Sequence, residues 1–93
     1  MLPHQERCLE RSPDALYRTI DGQAVILHAG TGVYFSLNTL GSRIWELLEH
    51  RATAASLCTR LIEEFEVTED VLAKDVPSFL EELEKAGLVR DAA

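Results

Sequence analysis

The chain has 93 residues, of which 46% are hydrophobic and 27% are charged, a composition typical of a single soluble domain. Its formal net charge of −7 argues against a nucleic-acid-binding protein, because contacts to phosphate need a surplus of Lys and Arg. The sequence has neither the apolar stretch of a secretory signal nor a run long enough to span a membrane, so we expect a cytoplasmic protein.

The first regular pattern follows a polar stretch that we interpret as a flexible N-terminal arm over residues 1–15. Residues 16–20 and 23–28 are predicted strands, and Asp21-Gly22 between them favours a tight hairpin because both residues tolerate positive φ angles. A turn containing two glycines then leads into a third strand over residues 33–37. The sequence thus predicts an antiparallel meander.

The rest of the chain shows helical periodicity. Asn38 or Thr39, then Thr53 and Thr68, are candidate N-caps of three helices, and Gly87 is a candidate left-handed C-cap of the third. Pro77 lies inside the third helix, where it removes a backbone hydrogen bond. We expect either a kink there or a break into two helices.

The predicted fold is therefore α+β, with an N-terminal three-stranded antiparallel sheet followed by three helices in one domain over residues 16–90. This order is compatible with a winged helix-turn-helix arrangement. An acidic winged-helix regulator is one function that such a fold allows, although the net charge contradicts DNA binding.

The sequence shows no residue pattern for catalysis, a metal or a cofactor. His4, His28 and His50 are far apart, whereas a metal site needs three or four convergent ligands. Cys8 and Cys58 are separated by 50 positions and are expected to be free thiols. We therefore predict a binding protein without enzymatic activity, metal or cofactor.

The third strand is a candidate binding edge. It has one partner in the meander, and it contains neither the Lys nor the Pro that often protects an exposed edge. A peptide could add to it as a fourth strand. Alternatively, the N-terminal arm or a helix covers this edge, or two copies of the chain form a homodimer through it.

A strip on the third helix is a second candidate surface. Projected at 100° per residue, it consists of Val71, Asp75, Ser78 and Glu82. Phe79 lies at its boundary with the buried stripe, and Lys74 is next to Asp75. Such a surface could hold the apolar anchor of a peptide, although ordinary helix packing with one exposed valine explains the same pattern.

Three segments together resemble the PqqD-like family. They read G-x-Y-F-x-L-N-x-x-G-x-R-I-W-E-L-L from Gly32, L-I-E-E-F-E-V from Leu61 and D-V-x-x-F-L-E-E-L-x-x-A-G-L-V from Asp75. The resemblance extends over residues 16–89, and Pro77 departs from it where the family usually has a helix former. This family includes the peptide chaperone of pyrroloquinoline quinone synthesis and the precursor-recognition elements of many ribosomal peptide pathways.

The resemblance implies that the leader segment of a precursor peptide adds to the third strand and packs against the third helix. The strand positions that correspond are Val33, Tyr34, Phe35 and Ser36. The helix positions that correspond are Val71, Lys74, Asp75, Ser78 and Phe79. Ile44 and Trp45 are assigned to the core.

The short chain and its aromatic strand resemble most closely the recognition subunit of lasso-peptide systems. The resemblance implies that such a subunit presents the precursor to a leader peptidase and a cyclase. A chaperone that serves a radical enzyme in pyrroloquinoline quinone synthesis is the alternative within the same family.

Overall fold

The computed structural model describes residues 7–92 and contains five strands and three helices within that range. In chain order these are β1 (Leu9–Arg11), β2 (Ala15–Ile20), β3 (Gln23–His28), β4 (Tyr34–Ser36), α1 (Thr39–Leu47), α2 (Ala54–Glu64), α3 (Glu69–Lys85) and β5 (Val89–Asp91). The predicted α+β class is confirmed, as is the three-stranded antiparallel sheet that precedes three helices.

The three predicted strands form one sheet in the order β2-β3-β4, so β4 is the predicted third strand. Asp21 and Gly22 both have positive φ angles, 53° and 80°, as expected for the tight hairpin between β2 and β3. Ile26 of β3 lies opposite Tyr17 of β2 and Phe35 of β4. Because side chains alternate along a strand, these three residues share the face that packs on the helices.

A second sheet, which the sequence analysis did not predict, joins the two ends of the chain. Strand β1 pairs antiparallel with β5, and the Ala92 N–H donates a hydrogen bond to the Cys8 carbonyl oxygen (2.8 Å). The predicted flexible arm therefore needs correction where it includes Leu9–Arg11, because Leu9 is only 1% exposed and lies in the core. Residues 1–6 of that arm lie outside the described residues.

Side-chain contacts connect this second sheet to the helices. Arg7 forms ion pairs with Glu84 of α3 and Asp91 of β5. The guanidinium of Arg11 lies 4.6 Å from the ring centre of Tyr17 and 4.7 Å from that of Trp45, close enough for cation–π contact with both. The described part of the N-terminal segment is thus held by ion pairs as well as by the buried Leu9.

Each helix begins at a predicted N-cap, and for α1 this residue is Asn38 rather than Thr39. The side chains of Asn38, Thr53 and Thr68 accept backbone hydrogen bonds from Gly41, Ser56 and Val71 respectively. At Thr53 the bond is reciprocal, because the Ser56 hydroxyl also accepts from the Thr53 N–H, which completes a capping box. Polar side chains therefore fix the start of every helix in the described chain.

Helix α3 continues through Pro77, so of the two predicted alternatives, a kink or a break into two helices, the break is wrong. The carbonyl group that loses its partner belongs to Ala73, which is exposed and can be solvated. The helix ends in a Schellman motif: Gly87 has φ +77°, and the Leu88 N–H donates to the Leu83 carbonyl oxygen (2.9 Å). This turn directs the chain into β5.

The core lies between the inner face of the three-stranded sheet and the helices. Its largest fully buried side chain is Trp45, and Ile44 is buried beside it in sequence, as predicted for both. No helix within residues 7–92 is both long enough and apolar enough to cross a membrane.

Candidate functional site

Strand β4 is an edge strand whose open side is defined by its hydrogen bonds to β3. The His28 N–H donates to the Val33 carbonyl oxygen, and the Leu37 N–H donates to the Ala24 carbonyl oxygen, both at 2.8 Å. Backbone groups alternate in direction along a strand, so the peptide groups of Tyr34 and Ser36 point to the side opposite β3. No other described strand pairs on that side.

A serine from α1 holds the end of this strand pair in place. Where Ala24 and Leu37 lie opposite each other, the buried Ser42 hydroxyl accepts from the Ala24 N–H (2.7 Å) and donates to the Leu37 carbonyl oxygen (3.4 Å). The hydroxyl thereby replaces one bond of the ladder. It connects β3, the end of β4 and helix α1, which limits the movement of the open edge.

A groove of about 300 Å³ lies between β4 and α3, and we call it the β4–α3 groove. It is lined by Phe35, Ser36, Leu37, Asn38, Leu40, Gly41, Ile44, Asp75, Val76, Phe79 and Glu82. Most of these side chains are apolar, and the exposed acids Asp75 and Glu82 both come from α3. The groove can therefore accept apolar side chains from a strand that lies beside β4.

Four of the nine residues singled out in the sequence line this groove, namely Phe35, Ser36, Asp75 and Phe79. The other five do not line it and are exposed; they are Val33, Tyr34, Val71, Lys74 and Ser78. The side chain of Tyr34, which is 66% exposed, lies on the opposite face of the sheet, and Val33 precedes β4. Val71, Lys74 and Ser78 lie on α3.

The contribution of α1 to the groove was not predicted. Ile44, which the sequence analysis assigns to the core, lines the groove together with Leu40. Gly41 brings α1 close to α3, since a Cβ atom added there would lie 3.3 Å from Cζ of Phe79 and 3.2 Å from Oδ1 of Asn38. A glycine inside a strongly amphipathic helix was the one signal of this close approach.

The histidines and cysteines of the described chain are the remaining candidates for a chemical site. Within residues 7–92, no group of three or more His, Cys, Asp or Glu side chains could hold a metal ion. Both cysteines are free, and burial raises the pKa of the Cys58 thiol, which disfavours a nucleophilic thiolate. Nδ1 of His28 accepts hydrogen bonds from the Gly30 and Thr31 N–H groups. His4 lies outside the described residues.

Comparison with known proteins identifies the family of this chain. A sequence profile described as coenzyme PQQ synthesis protein D (PqqD) matches residues 23–89, a range that contains both sides of the groove. The chain belongs to the PqqD family. No curated protein sequence matches it.

Two solved structures resemble this PqqD-family chain along most of its length. One, described as TbiB1 in complex with the TbiA(beta) leader peptide, is 32% identical with a TM-score of 0.81 and covers 90% of this chain and 98% of that chain. Another, described as lasso peptide synthetase B1 complexed with the leader peptide, has a TM-score of 0.75 and covers 88% and 96%. At 23% identity, the second likeness concerns the fold alone.

This PqqD-family chain also has an apolar surface on the side of the sheet away from the helices, which we call the outer face. It consists of Leu16, Ile20, Val25, Leu27 and Tyr34. All except Val25 are exposed, by 41% to 66%. Contiguous apolar exposure of this kind is typical of an interaction surface.

Proposed function

We propose that this chain binds the leader segment of a ribosomally made precursor peptide, a lasso-peptide precursor, by adding it as a strand to β4. The observation that carries the proposal is the open edge of β4 directly beside an apolar groove. The 32% identical TbiB1 chain, whose structure contains a leader peptide, supports the same assignment.

The expected contacts follow from the direction of the backbone groups. Tyr34 and Ser36 would exchange main-chain hydrogen bonds with an antiparallel leader strand. The leader residue opposite Phe35 would then point toward the helices and enter the β4–α3 groove. Val33 would border the strand, and α3 would contribute Val71, Lys74, Asp75, Ser78 and Phe79 along the leader.

In this proposal the chain acts by binding rather than by catalysis. It raises the local concentration of the precursor at a leader peptidase and a cyclase, an effect that needs no catalytic residue in the recognition domain. The family description names PQQ synthesis and so leaves one alternative with less support, a role in that pathway. There the chain would be a peptide chaperone for a radical enzyme. An acidic winged-helix regulator is disfavoured by the net charge of −7.

Titration with a fluorescently labelled TbiA(beta) leader peptide tests leader binding. We expect a dissociation constant in the micromolar range or below, with NMR shifts concentrated at Tyr34, Ser36 and Phe79. A scrambled peptide of the same composition is the control. The proposal fails if neither this leader nor the leader of the precursor encoded beside the gene for this chain binds.

We further propose that the outer face docks the leader peptidase. Tyr34 belongs to both the binding strand and the outer face, and every second side chain of an added leader strand would extend this face. A peptidase that docks there would therefore contact the recognition domain and its peptide substrate together.

Replacing the cross-strand pair Leu16 and Leu27 with threonine tests this docking surface. Threonine suits a strand, so the domain should fold, and leader affinity should stay within about twofold. Capture of the peptidase by the leader-loaded domain should weaken at least fivefold, since apolar contact area is lost. Unchanged capture would contradict the proposal, as would a wild-type homodimer that the double variant converts to a monomer.

A further inference from the structure

Two carboxylates stand on the α3 side of the β4–α3 groove with an aromatic ring between them. Asp75, Phe79 and Glu82 have the spacing i, i+4, i+7, which places them along one face of the helix. The rise of an α-helix separates the two acids by about 10 Å along its axis. The groove is thus apolar in its centre and acidic toward both ends of this stretch of helix.

Neither acid is neutralised within the described part of the chain. Glu64, Glu84 and Glu10 each form ion pairs with arginines, whereas Asp75 and Glu82 are absent from every ion pair among residues 7–92. Both are exposed. A peptide in the groove therefore meets two uncompensated negative charges, in a domain that already carries a net charge of −7.

Asp75 and Glu82 are too far apart to bind one metal ion together. Carboxylate ligands bind Ca²⁺ or Mg²⁺ at about 2.0–2.6 Å, so two acids about 10 Å apart cannot share one ion without a large movement. A cation carried by the bound peptide fits the separation better, because Lys and Arg side chains are long and can keep their charged ends in water.

We propose that Asp75 and Glu82 select leaders that carry a Lys or Arg two residues away from the apolar residue anchored at Phe79. This inference rests on the proposed strand addition. In a bound strand, side chains on the groove face recur every second residue, at about 6.6 Å. Along the axis of α3, Asp75 and Glu82 are displaced from Phe79 by about 6 Å and 4.5 Å. For a leader strand that runs along α3, a residue two positions from the anchor therefore lies level with one of the two acids.

A display selection tests the inference with defined probes. A library of random 12-residue peptides is selected on three proteins: the wild type, D75N/E82Q, and E63Q/E66Q as a control. Glu63 and Glu66 are exposed acids that do not line the groove, so the control loses the same charge while leaving the groove unchanged. We expect Lys and Arg to be enriched two positions from an apolar anchor on the wild type and on the control.

On D75N/E82Q the anchor should persist and the basic enrichment should disappear. A peptide selected on the wild type should bind this variant roughly threefold to tenfold more weakly, as expected for the loss of one or two exposed ion pairs. Raising the salt concentration should abolish most of that difference.

The outcomes separate this inference from the function on which it rests. If selection yields no peptide that binds through β4, the proposed leader binding fails. Anchored peptides without basic enrichment, or equal enrichment on D75N/E82Q, overturn the charge selection alone. An equal loss on E63Q/E66Q would also overturn it, because net charge rather than the groove acids would then be the cause.

Discussion

Replacing Ser36 with proline is expected to weaken leader binding at least tenfold while leaving the domain folded. The Ser36 N–H points to the open side of β4, so the proline ring removes a donor that the leader needs and places carbon atoms in its path. Proline is tolerated on an edge strand when its nitrogen faces away from the neighbouring strand. A lost hydrogen bond contributes about 1 kcal/mol, and steric exclusion of the leader backbone adds to it.

Ser36→Ala provides the matched control, because it removes the side chain but keeps the backbone donor. Its affinity for the leader should stay within about threefold of the wild type. Ser36 lies opposite Val25 of the outer face, so its hydroxyl points to that face and the residue borders the groove through its backbone. Affinities are measured by fluorescence anisotropy, and folding is checked by circular dichroism and thermal unfolding. If proline and alanine have equal effects in folded proteins, recognition does not depend on the backbone of β4.

Replacing Leu9 with alanine is expected to lower the free energy of unfolding by about 3 kcal/mol. Leu9 is 1% exposed and belongs to the core, and removing such a side chain leaves a cavity that the surroundings fill only in part. For a domain of this size, the loss corresponds to a melting temperature lower by roughly 15 °C. Urea unfolding followed by circular dichroism measures the change directly.

Leu16→Ala is the matched control for that substitution. Leu16 is 55% exposed on the outer face, so the same chemical change should cost less than about 1 kcal/mol. Comparable costs for the two variants would show that β1 is not an integral part of the folded domain. A much larger cost at Leu9 would establish that the N-terminal segment belongs to it.

Local signals made most of the fold predictable. The Asp21-Gly22 pair, the capping residues Asn38, Thr53 and Thr68, and the terminal Gly87 all act through neighbouring backbone groups, and each lies where the sequence placed it. The buried face of each helix could be predicted because amphipathic periodicity extends over several turns.

The pairing of β1 with β5 could not be predicted from local sequence signals. Each strand has three residues, too few to show alternation, and Glu10 and Arg90 face each other across 80 positions of sequence. The single buried residue of β1, Leu9, stands among charged and polar neighbours that suggest a solvated arm. A contact at such separation leaves no periodic signal in either segment.

Only part of the lining of the β4–α3 groove could be predicted from the sequence. Phe35 and Ser36 were found from the strand, and Asp75 and Phe79 from the helix, because each follows from its own element. The contribution of Leu40, Gly41 and Ile44 depends on how closely α1 approaches α3, which is a property of tertiary packing.

The pairing of β1 with β5 has a consequence for how this domain can be combined with others. Cys8 and Ala92 are joined by a hydrogen bond, so the first and last strands of the domain bring its two ends next to each other. Neither strand contributes a residue to the β4–α3 groove. The domain could therefore be inserted into a surface loop of a larger enzyme, or circularly permuted through a short linker, with its peptide-binding edge unchanged.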